Sequence, residues 1–65
     1  MTRAEANKIY GWYQGFNTIL NTPAKRTEAN IQMCENKLAE FQERFGLTGT
    51  ELIQVVEEIT GRKVP

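Results

Sequence analysis

The chain has 65 residues, 40% hydrophobic and 25% charged, with eight Lys and Arg balancing eight Glu and neither Asp nor His. That composition is too apolar for disorder, and it lacks the basic excess a nucleic-acid binder usually displays. It bounds one small domain that buries about 60% of its unfolded surface around a core of roughly 13 to 16 side chains. Charge is unevenly placed. Residues 1–26 carry Arg3, Lys8, Lys25 and Arg26 against Glu5, while residues 27–65 carry seven Glu against four cations. A bundle that packs a basic helix beside an acidic one accounts for this, as does a bipolar surface that orients a charged partner.

Glu5 and Lys8 interrupt the N-terminal stretch where a signal peptide needs an unbroken apolar run, and no segment approaches the ~18 consecutive apolar residues of a membrane span. The single cysteine, Cys34, cannot form an internal disulfide, which suits a reducing compartment. A soluble cytoplasmic protein without membrane contact is the expectation.

Thr2-Arg3-Ala4-Glu5 is a capping box, in which the threonine hydroxyl and the glutamate each satisfy an orphan backbone N–H. It opens a first helix over about 3–20 whose inward stripe is Ile9, Trp12, Tyr13, Phe16, Ile19 and Leu20. Asn21-Thr22-Pro23 ends it. Thr22 then suits the N-cap of a second helix and Pro23 its first turn, where a missing N–H costs nothing. The second helix reads as about 22–45, with a seam at Ala24, Thr27, Ile31, Cys34, Leu38, Phe41 and Phe45. Steps of 3, 4, 3, 4, 3 and 4 are the spacing of a helix that buries one side. At ~1.5 Å per residue this is a rod of ~34 Å, the element on which the rest packs. The two- or three-residue link makes the first two helices antiparallel neighbours.

Gly46 ends the second helix, because a residue without Cβ takes the left-handed conformation cheaply. Thr48-Gly49-Thr50-Glu51 is a second capping box, with Leu47 placed to staple onto Leu52. It opens a third helix over about 49–60 that turns Leu52, Ile53, Val56 and Ile59 inward. Gly61 closes it, and 61–65 is a short tail. An all-α three-helix bundle follows. The third helix is ~18 Å long and doubles back from residue 46, so it covers the second only to about residue 33. Beyond that point Phe16, Ile19, Leu20 and Ile31 meet with two helices present, an apolar edge that a second copy of the chain would close.

Catalysis is not expected. There is no His for general-base work, and Cys34 sits in the apolar seam as a packed thiol. Glu57 and Glu58 point about 100° apart, and Glu40 and Glu43 lie beside Lys37 and Arg44 as helix-stabilising charges. No glycine-rich phosphate loop and no Cys/His cluster is present, so neither cofactor nor metal is expected. Glu43-Arg44-Phe45-Gly46-Leu47-Thr48 followed by Glu51-Leu52 is similar to the approach to the first helix of many helix-turn-helix regulators. A DNA-binding or repressor-associated protein is therefore the alternative reading. It lacks a recognition helix, and Glu51, Glu57 and Glu58 would face phosphates.

The favoured reading is a non-enzymatic protein–protein interaction module: an adaptor, an assembly subunit or an inhibitor that occludes a larger protein. Small chains without catalytic groups often act by blocking, as many phage and mobile-element inhibitors do. The back of the first helix aligns Ala4, Lys8, Gly11, Gly15 and Thr18, flanked by Tyr10 and Trp12. Two mid-helix glycines cost ~1 kcal/mol each relative to alanine, and close approach of a partner would offset that. The expected partner-binding residues are thus Lys8, Tyr10, Gly11, Trp12, Gly15 and Thr18. Phe16, Ile19, Leu20 and Ile31 are the expected self-association set.

Overall fold

Thr2 and Thr48 open their helices by the same reciprocal contact. Thr2 Oγ1 accepts from the Glu5 N–H at 3.1 Å while Glu5 Oε1 accepts from the Thr2 N–H at 2.7 Å. The corresponding distances for Thr48 and Glu51 are 3.2 and 2.9 Å. The computed structural model describes residues 1–65 and contains three helices: α1 (Arg3–Asn21), α2 (Glu28–Phe45) and α3 (Gly49–Thr60). Gly46 and Gly61 end α2 and α3 at φ 64° and 69°, the left-handed region that asks for glycine. The expected all-α three-helix bundle is the fold.

The start of the second helix is corrected by five residues. Thr22 caps nothing. Its backbone is extended, as the residue before a proline must be, and its hydroxyl donates back to the Thr18 carbonyl at 2.7 Å. Residues 22–26 instead form a single turn, in which the Lys25 and Arg26 N–H groups both reach the Thr22 carbonyl. Asn30 Nδ2 pins that turn by donating to the Lys25 carbonyl at 2.7 Å. Thr27 is the true N-cap, accepting from the Asn30 N–H at 3.2 Å. Ala24 and Thr27 are consequently exposed and contribute nothing to the seam. At 18 residues, α2 is ~27 Å long and not ~34 Å.

Packing weight also falls elsewhere than on the second helix. α1 packs on both other helices, and its contact with α3 is the most extensive of the three. Four of the eight buried residues lie on α1: Ala6, Ile9, Tyr13 and Phe16. They meet Cys34 and Phe41 of α2 and Leu52 and Val56 of α3. Ile9, Leu52 and Val56 are fully enclosed, and each contributes ~1.5–3 kcal/mol by leaving water. Trp12, Leu38, Phe45 and Leu47 are half-buried around this centre. Ile59, expected in the core, is half-buried and lies outside the cluster. Val64 of the tail packs against it.

Two consequences are measurable. Thr48→Ala should lose ~1 kcal/mol in urea unfolding, because α3 is too short to persist without its cap. Thr50→Ala, one step inside the helix, should lose clearly less. Equal losses would displace the cap.

The second concerns acid. The Thr2 backbone N–H first, then the Thr2 side chain, holds the Glu5 carboxyl below the usual glutamate range, and Thr48 does the same for Glu51. A carboxyl with a lowered pKa in the folded chain binds fewer protons there than in the unfolded chain. Its contribution is complete above the unfolded value and is lost as pH falls through the folded one. The melting temperature should therefore drop as pH falls through the carboxylate range. The Glu5→Gln, Glu51→Gln double variant should start lower and decline less steeply; an unchanged slope would show that the boxes do not carry the effect.

Candidate functional site

α1 shows two surfaces that the fold leaves open. The first is the line of small residues. Ala4, Lys8, Gly11, Gly15 and Thr18 are all exposed, and a Cβ built on Gly11 or Gly15 would meet no atom within 4 Å. No intramolecular packing offsets these glycines. Thr18 Oγ1 donates to the Gln14 carbonyl at 3.1 Å, a bond within its own helix.

Tyr10 and Trp12 flank this line, but both are half-buried and already engaged. Arg62 lies 4.2 Å above the Tyr10 ring, and the Tyr10 hydroxyl donates to the Lys63 carbonyl at 3.1 Å. On the other side, Lys37 Nζ lies 4.9 Å from the centre of the Trp12 ring, and Phe16 packs at 5.8 Å. Trp12 and Lys8 line a polar cleft with Lys37, Glu40 and Arg44. Its charges are largely paired: Lys37 with Glu40 at 3.3 Å, and Arg44 with Glu5 of α1 at 2.9 Å. Exposed pairs of this kind add ~0–1 kcal/mol each.

The second surface lies between α1 and α2 above the end of α3. Tyr13, Phe16, Leu20, Ile31, Cys34 and Leu38 line a groove of about 340 Å³, with Pro65 on its edge. Asn17 and Glu35 are its polar members. Three of the four expected self-association residues are therefore brought together: Phe16 on the floor, Ile31 half-buried, and Leu20 with 42% of its surface in solvent. Ile19 is half-buried and outside the groove.

Sequence reasoning missed Asn17 here, whereas an ordered Val64-Pro65 tail over this end is one of the expectations for a monomeric chain, and Pro65 does line the groove. Asn17 sits between Phe16 and Leu20 on the same side of the helix, so the 3.6-residue period would have found it. Pro65 leaves no periodic signal. Met33, 43% exposed on α2, is a further apolar residue outside the expected sets.

Burial pushes the Cys34 thiol up in pKa, and the Glu35 carboxylate adds to the shift, so the sulfur stays protonated and weakly nucleophilic. Burial likewise raises Tyr13. Glu5 and Glu51 are committed to caps, and Glu57 Oε2 accepts from the Val64 N–H at 2.8 Å. No helix is long and apolar enough to cross a membrane. Comparison of the chain with protein-family models, with curated proteins and with solved structures finds no match in any of the three.

The open space around the glycines fixes the sign of a simple experiment. Gly11→Ala and Gly15→Ala should each stabilise the fold by up to ~1 kcal/mol, since alanine is the better helix former and restricts the unfolded chain. Melting temperatures of the two single variants check this, and a drop in either would mean that the face is packed.

Proposed function

We propose that this chain is a non-enzymatic protein–protein interaction module whose contact surface is the groove between α1 and α2. The observation that carries this reading is the groove itself: a concave, mainly hydrophobic surface at the end of the bundle that α3 fails to reach, with Leu20 held out in water. An apolar face of an amphipathic helix, or the same face of a second copy, has the shape and chemistry to enter it. Binding there would remove water from Leu20 and Ile31, with the Glu35 carboxylate at the groove left for the partner to meet with a polar or cationic group. An adaptor, an assembly subunit and an occluding inhibitor all use such a surface. The exposed line of Lys8, Gly11, Gly15 and Thr18 is a second candidate contact, on the opposite side of α1 and separable from the first by mutation.

Less supports the DNA-binding alternative. The exposed positions of α3 are Thr50, Glu51, Gln54 and Glu58, none of them cationic, and carboxylates repel the phosphate backbone.

The test is site-specific photo-crosslinking in the native host. A photoreactive residue at Asn17, in the groove, should give a discrete adduct that the same group at Gln54 of α3 does not. Leu20→Asp should lower the yield about tenfold, the effect of ~1.4 kcal/mol of lost contact. An adduct of twice the chain mass identifies a homodimer, and one of any other mass a foreign partner. Equal labelling from positions 17 and 54, or no response to Leu20→Asp, would end the groove reading.

A further inference from the structure

Beyond Gly61 the chain stays on the bundle. Arg62 stacks on the Tyr10 ring at 4.2 Å and reaches Asn7 Oδ1 at 3.4 Å. The Lys63 carbonyl accepts from the Tyr10 hydroxyl. Val64 donates its N–H to Glu57 Oε2 and packs its side chain on the core, and Pro65 forms part of the groove wall beside Tyr13 and Asn17. Asn7, Tyr10, Tyr13 and Asn17 follow one another along α1 at steps of 3, 3 and 4, so they share one side of the helix. The tail climbs that side, towards Leu20.

We infer that Arg62–Pro65 is a releasable strap: closed, it shields the lower end of the α1–α2 groove, and released, it lengthens the apolar surface the groove presents. Its purpose rests on the interaction reading above; its opening does not, and is measured on the isolated chain.

Three features make the strap releasable. α3 is complete without it, because the Gly61 N–H donates to the Glu57 carbonyl at 2.9 Å and Thr60 Oγ1 to the Val56 carbonyl at 2.7 Å. Release therefore breaks no helical hydrogen bond. The contacts of Tyr10 and Arg62 are solvent-exposed, where water replaces them at little net loss. Against these, the part-buried bond from the Val64 N–H to Glu57 Oε2 and one half-buried valine, stands the conformational entropy of four residues fixed outside any helix. A segment balanced in this way opens by local unfolding while the helices beneath it stay folded.

Amide exchange followed by NMR tests this on the full chain. The Val64 N–H should exchange at least about tenfold faster than that of Val56, yet clearly slower than in a free peptide of the same residues. Tyr10→Phe keeps the ring under Arg62 and removes only the bond to Lys63. It should speed Val64 exchange several-fold and leave Val56 unchanged. An apolar fluorescent dye should brighten several-fold with the Tyr10→Phe, Arg62→Ala double variant, and adding Leu20→Asp should cancel the gain. Equal exchange of Val64 and Val56 would make the tail an inseparable part of the fold, and free-peptide exchange would mean that it never closes. An unchanged dye signal would show that it shields nothing. Each of these overturns the strap whatever the crosslinking finds, and a failed crosslink leaves the exchange rates standing.

Discussion

Nineteen residues of α1 lie against twelve of α3, so ~10 Å of the longer helix has only α2 beside it. That mismatch governs where apolar surface is hidden. Ile9 and Tyr13 share one buried cluster with Leu52 and Val56. In the groove, Phe16 is covered by its neighbours, Ile31 only in part, and Leu20 least, with 42% of its surface in solvent. No residue of α3 lines the groove, and the tail that turns off at Gly61 brings Pro65 to its edge.

The two ends of the bundle differ for the same reason. At the closed end, Glu5 serves two neighbours at once: one oxygen completes the α1 capping box, and the other accepts Arg44 from the last turn of α2. A few residues on, the Leu47 N–H reaches back to the Gln42 carbonyl, and Gly49 passes close enough to Gln42 that a Cβ there would lie 3.1 Å from its amide nitrogen. Helix ends here are tied to one another. At the open end the polar contacts of the 22–27 turn run within the turn and its flanking helices, joining neighbours in sequence and binding no third element.

What could be read from the residues was whatever is decided locally. Both capping boxes and all of α3 follow from four-residue signals that need no tertiary context, and the buried positions Ile9, Tyr13, Phe16, Cys34, Phe41, Leu52 and Val56 follow from helical spacing. The start of α2 was ambiguous because two threonines compete. Thr22-Pro23 satisfies the rules for a helix start, as does Thr27 with Asn30 at the third position. The choice falls to Thr27 because Asn30 also secures the Lys25 carbonyl, a contact across five residues that no short motif encodes. The tail carries no periodic signal; an ordered Val64-Pro65 was legible only as one way to cover the apolar edge of a monomer, and its path is set by the turn at Gly61. Tyr10 was misjudged with it. Its ring looks like a free anchor until the chain returns from more than fifty residues away to cover it.

That return shapes how the molecule is made. The Arg62–Asn7 contact joins residues 55 apart in sequence, and the most extensive helix pairing is between the first helix and the last. The hairpin of α1 and α2 holds a smaller share of the packing. The core is therefore complete only when both ends of this segment are present, and each residue removed from α3 exposes apolar surface on α1, the most distant helix in sequence.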